Sequence, residues 1–131
     1  MKEIVVVTPA RVGLVADIAE ILGERGINLD TIEADTVQGT MIVTMTLENY
    51  DEALKALRDG GFDALTEDAL LIQLRDEPGA LAKVAKRFKD ANITLRSLRF
   101  VRREGGQAFV ALSTEQPEEA KELAKEYLVG E

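Results

Sequence analysis

Two carboxylates stand directly before a Pro-Gly pair in residues 76–95, DEPGALAKVAKRFKDANITL, and an amphipathic run follows at once. Those residue types in that order can make a small binding site. A helix that opens at such a turn leaves its first amide hydrogens without intrahelical acceptors. The backbone at Gly79, Ala80 and Leu81 can therefore receive a carboxylate, helped by the helix dipole at about 0.3–1 kcal/mol. Glycine at 79 lets a ligand approach with no Cβ in the way. Asp76, with Glu77 beside it, offers an acceptor to an ammonium group. The chemistry open to these residues is reversible binding of a small charged molecule. A purely structural alternative has Asp76 or Glu77 capping the helix, with Pro78 at its first position.

The arrangement recurs in altered form at residues 10–29, ARVGLVADIAEILGERGINL. Laying residue n over residue n+66 aligns the halves without a gap from first strand to second helix. Identities include Gly13/Gly79, Ala16/Ala82, Ile27/Ile93, Leu29/Leu95, Gly39/Gly105 and Leu57/Leu123. Self-similarity at a fixed period marks a duplicated structural unit. It predicts one unit at 1–66 and a second at 67–131.

The elements that must position the turn read alike in both units. "IVVV" and "LLIQL" are short apolar runs rich in branched residues, hence opening strands. Leu14, Ile18, Ile21 and Leu22, and then Leu81, Val84, Ala85 and Phe88, give each following helix one apolar stripe. Gly26 and Asn92 tolerate the left-handed turn that ends such helices. "QGT" and "EGG" read as hairpin turns. Met41, Val43, Met45 and Leu47 share one face of the next strand, with threonines on the other. Second helices begin near Asp51 and Pro117. A weak fourth strand at 62–65 closes unit one, whereas Val129 to Glu131 are too few to do the same for unit two. The fold class is thus α+β: two tandem ferredoxin-like βαββαβ units, antiparallel sheets with helices on one face, the second lacking or shortening its last strand. The first strand of unit two is left as an edge, unpaired or served from elsewhere.

Composition narrows the function. The 131 residues have the apolar (46%) and charged (31%) fractions of a soluble globular protein. A net charge of −8 argues against nucleic acid. No apolar run is long enough to span a bilayer. The charged-then-apolar opening, MKEIVVV, is too short for a signal peptide and reads as a strand, so a cytoplasmic location is expected. With no Cys and no His, there is no thiolate metal site, disulfide or imidazole proton shuttle. No metal, cofactor or catalytic residue is expected.

The residues at 76–95 resemble the ACT domain, the small-molecule-binding module attached to enzymes of amino-acid metabolism. The matching pattern is strand, D/N-x-P-G, apolar helix, then G-[IV]-N-[IL] at the start of strand two. Residues 8–29 are a looser version, with Val12 where that family usually has proline. The two copies cover nearly the whole chain, so the resemblance implies a free-standing tandem-ACT protein. It further implies that two units sit side by side, with ligand between the loop of one and strand two of the other. Carried over by position, the loop acceptor is Asp76 in unit two but Ala10 in unit one. The strand-two amide is Asn28 in unit one but Thr94 in unit two. These losses are complementary and imply one well-equipped amino-acid site per chain. Arg11, Val12, Gly13 and Leu14, the equivalent turn of unit one, complete the candidate set with Asn28 and Leu29.

Charge favours that pairing. Residues 1–66 hold 5 basic and 12 acidic groups, net −7, and residues 67–131 hold 11 and 12, net −1. Asp30, Glu33 and Asp35 on one second strand contrast with Arg96, Arg99, Arg102 and Arg103 on the other. Those arginines are alternatively a solvated face, or a grip on an anion or an acidic partner. The expected function is an amino-acid sensor that modulates a separate enzyme or transporter, as a homodimer covering the open edge. The alternative is a ligand-free oligomerisation module. An acylphosphatase-like use of Arg11 and Asn28 lacks the surrounding sequence, and no enzyme activity is expected. An RNA-binding use would need stacking aromatics, and the strands offer only Phe100 and Phe109, either of which the helix-free face could instead expose to a partner.

Overall fold

A computed structural model describes residues 2–129. The chain divides into two compact units, Met1–Glu67 and Asp68–Glu131. In unit one, β1 (Lys2–Pro9), α1 (Leu14–Glu24), β2 (Leu29–Val37), β3 (Thr40–Leu47), α2 (Tyr50–Asp59) and β4 (Ala64–Leu65) follow in order. The sheet runs β2-β3-β1-β4 with every neighbouring pair antiparallel. That is the ferredoxin-like arrangement.

Alternation decides which face the helices cover. Ile4 and Val6 of β1 join Val43, Met45 and Leu47 of β3 in one core with Leu14, Ile18 and Leu22 of α1 and Ala53 and Leu57 of α2. The opposite face keeps Thr44 and Thr46, and Thr46 Oγ1 meets Thr31 Oγ1 at 2.5 Å. Both hairpins are two-residue turns with positive φ at each position, Gln38–Gly39 and Gly105–Gly106. That conformation matches the twist of the flanking strands.

Unit two repeats the order as β5 (Leu70–Arg75), α3 (Ala80–Asp90), β6 (Leu95–Glu104), β7 (Gln107–Thr114) and α4 (Pro117–Leu123), with Pro117 at the helix start, and then a 3-10 turn at Lys125–Tyr127. Its sheet order is β5-β7-β6. Ile72, Leu74, Val84, Phe88, Val110, Leu112, Ala120 and Ala124 form its core. The closing strand is reduced to one antiparallel bridge, Ile72 to Leu128, beside a bond from the Val129 amide to the Leu71 carbonyl at 3.0 Å. The edge of β5 is therefore partly covered from within its own unit. Residues 130 and 131 of the expected terminal stub lie outside the described residues.

The gapless offset of 66 does not hold through the second half of each unit. It fits as far as Leu29/Leu95, but β3 and β7 begin at Thr40 and Gln107, an offset of 67. The extra residue lies in β6, where the register shifts between Phe100 and Arg102. Strand β2 is regular at the corresponding place. The structural counterparts are thus Gly39/Gly106, Ala53/Ala120 and Leu57/Ala124, not Gly39/Gly105 and Leu57/Leu123. A bulge kept the pairing while adding a residue.

Candidate functional site

The turn at 76–79 is tied down at both ends. The Asp76 amide donates to the Gly106 carbonyl at 2.9 Å, and the Glu77 amide to the Arg75 carbonyl at 2.9 Å. Helix α3 starts at Ala80, preceded by Gly79 at φ 85°, ψ −11° with no side-chain cap. The capping alternative is therefore not realised. Pro78 is not the first helical residue either, because the left-handed Gly79 stands between it and the helix. The Ala80 amide reaches the Glu77 carbonyl at 3.3 Å, and the Lys83 amide makes the first helical bond, to Gly79, at 3.2 Å. Among the described residues the amides of Gly79, Leu81 and Ala82 have no backbone acceptor. The sequence pattern anticipates Gly79 and Leu81, but the Ala80 amide, also expected to be open, is engaged by the Glu77 carbonyl, and that of Ala82 is open instead.

This turn forms the rim of a cleft of about 320 Å³ within unit two. Leu74, Leu81, Phe100 and Ala108 supply apolar walls, and Arg75, Asp76, Glu77 and Arg103 the charges; Pro78 and Ala80 complete the lining. The Arg103 guanidinium lies over the Phe100 ring, 4.2 Å from its centroid. Its Nε stands 3.8 Å from Asp76 Oδ1, with the two side chains 56% and 38% exposed. That is an ion pair beyond hydrogen-bond reach, and at such exposure it holds weakly.

The bulge explains how Phe100 and Arg103 come to act together. In a regular strand, residues 100 and 102 share a face and 103 points the other way. Here Phe100 pairs with Val110 and Arg103 with Ala108, two residues of the same face of β7, while Arg102 opposes Phe109. Phe100 and Arg103 therefore both reach the helix side of the sheet, beside the turn. Sequence reasoning named both residues and missed this role. Its one signal was the extra residue between strand two and the hairpin, hidden by matching glycines in Gly105–Gly106. Phe109 is fully buried and is not an exposed aromatic; Phe100 is 40% exposed.

Unit one builds the same turn and fills it differently. The Ala10 amide donates to the Gly39 carbonyl at 2.9 Å, Gly13 has φ 80°, and the Asp17 amide donates to the Gly13 carbonyl at 3.0 Å. Arg11 Nη1 is engaged by Asp17 Oδ2 at 2.6 Å. Val12 projects with 99% exposure, whereas the side chain of Leu14 is core. Asn28 is exposed just before β2, and Leu29 packs on the core. Both lie at the sheet end marked by Lys2 and Leu47, opposite the Pro9–Thr40 end that carries the turn. About 25 Å of strand separates those ends. Within one unit, turn and strand-two start do not meet. Among the described residues no group of three or more acidic, His or Cys side chains could hold a metal ion, and no helix is long and apolar enough to cross a membrane.

Residues 2–59 match the sequence model of the ACT domain. No curated protein matches the chain. Among solved structures, a protein of Bacteroides thetaiotaomicron is 22% identical, with 97% of this chain and 90% of that chain covered and a TM-score of 0.49. The ligand-free regulatory subunit of aspartate kinase from Thermus thermophilus is 20% identical, with 95% and 90% covered and a TM-score of 0.44. The acetolactate synthase small subunit from Thermotoga maritima is 13% identical, with 98% and 90% covered and a TM-score of 0.42.

Proposed function

We propose, from the premise that the chain is a tandem ACT-domain protein, its first unit matching the family directly and its second repeating that fold, that it is a regulatory amino-acid-binding protein. The observation that carries this reading is the cleft of unit two, lined by two acids, two arginines and Leu81, whose amide has no backbone acceptor. An amino acid presents one carboxylate and one ammonium, and the cleft offers donors for the first and Asp76 and Glu77 for the second. The turn of unit two, residues 76–81, is the ligand-binding loop of this proposal. Asn28 and Leu29 of a neighbouring unit one would complete it, and Arg11 to Leu14 form the weaker counterpart. Ligand would bias a separate enzyme or transporter by its differential affinity for two states of the protein. A homodimer belongs to the same proposal, since β2 and β6 are edge strands of their own sheets.

Thermal unfolding of the full chain with each of the twenty amino acids tests the reading. One or two compounds should raise the midpoint by several degrees at millimolar concentration. A ligand at 100 times its Kd adds about 2.7 kcal/mol, which moves a midpoint by that much in a chain of this size. A flat response to all twenty sinks the sensor. It would leave the second reading, a ligand-free oligomerisation module, which the Asp76–Arg103 pair across the cleft independently favours.

A further inference from the structure

We infer that Arg103, seated on the Phe100 ring that the bulge in β6 brings to its face, is the carboxylate-binding group of the unit-two cleft, and that Asp76 makes it select apolar α-amino acids over plain carboxylates. The inference rests on the amino-acid-binding reading and names the group and the ligand class that reading leaves open.

Three observations carry it. First, Arg103 is positioned yet unspent. Its guanidinium is seated on Phe100, only Nε approaches Asp76, and among the described residues its two Nη groups have no partner. A planar fork with free donors suits bidentate carboxylate binding. Second, the hairpin register sets Arg103 opposite Ala108 on the helix side, and Phe100 shares that face only through the bulge at Val101, which β2 of the other unit lacks. The duplicated sheet would pair as well without it. Third, the walls are Leu74, Leu81, Phe100 and Ala108, so the part of a ligand beyond its charged end meets apolar surface.

Selection follows from charge. A carboxylate docked on Arg103 brings its negative charge beside Asp76, and like charges repel. An α-ammonium on the same ligand turns that repulsion into a second ion pair. Asp76 therefore penalises the des-amino analogue and rewards the zwitterion, and its pairing with Arg103 is the contact the ligand replaces.

Calorimetry on the full chain tests this with L-leucine, L-valine and L-phenylalanine, the des-amino carboxylate of each, and L-aspartate and L-lysine as charged controls. The wild type should prefer the best apolar amino acid over its des-amino analogue by about tenfold or more. Arg103→Met should weaken the amino acid by about 10–100-fold, with Arg103→Lys intermediate. Asp76→Asn should shrink the preference, weakening the amino acid and strengthening the plain carboxylate. Arg103 is half-exposed, and an unchanged circular dichroism spectrum verifies that its variants fold. Wild-type affinity in Arg103→Met overturns the role of Arg103 while leaving the sensor reading standing. An undiminished preference in Asp76→Asn overturns the role of Asp76, and tighter binding of aspartate or lysine overturns the ligand class. No binding of any amino acid by the wild type overturns this inference and the functional reading together.

Discussion

At the scale of single residues, the turn before α3 depends on a backbone conformation and the cleft on one side chain's direction. Gly79 sits at φ 85°, and a Cβ built there meets nothing within 4 Å. The penalty for a larger residue is therefore conformational and not steric. Gly79→Ala should destabilise the protein by about 1–2 kcal/mol, read as a lower denaturation midpoint with an unchanged denaturant slope. A neutral result would mean that the turn readjusts. The Asp-x-Pro-Gly run announced this turn because the constraints on glycine and proline are local. Arg103 announced nothing comparable. In the sequence it is one of four arginines on a strand, and its neighbours alone do not say which of them faces the helices.

At the scale of elements, two departures from the duplicated plan set the character of unit two. One is the bulge at Val101. Deleting Val101 should leave a regular strand like β2, in which Arg103 keeps its place opposite Ala108 and on the face of Phe100, so any amino-acid-induced thermal shift should persist with secondary structure preserved. A lost shift would show that the extra residue itself shapes the cleft. The other departure is the closing segment, a single bridge held by a side-chain clamp. Arg87 Nη1 donates to the Leu123 carbonyl at 3.2 Å, its guanidinium lies 5.0 Å from the Tyr127 ring centroid, and it pairs with Glu126. Arg87→Ala should accelerate hydrogen exchange of the Val129 amide by about tenfold while core amides keep their protection. Equal acceleration across β5 and β7 would instead make Arg87 a determinant of the whole unit.

At the scale of the whole molecule, duplication followed by divergence matters most. Both units keep the turn, but unit one spends its arginine, Arg11, on Asp17 and presents Val12 to solvent, whereas unit two opens a cleft. The expected stoichiometry is one amino acid per chain by calorimetry, with binding unaffected by Arg11→Ala. Two equal sites per chain would show that unit one is equipped as well. The halves also differ in charge, net −7 against net −1.

The sequence by itself determined the repeated β-α-β-β-α order, the faces of the helices and central strands, the hairpin turns and the loop with open amides. Each follows from local periodicity, or from residues whose own backbone preferences are strong. The tertiary structure decided the register of β6 against β7, and with it the offset of 67 and the facing of Phe100 and Arg103. Register is a property of two strands together. One added residue in a regular strand would turn every side chain beyond it to the opposite face, whereas a bulge absorbs it, and no local preference distinguishes the two outcomes.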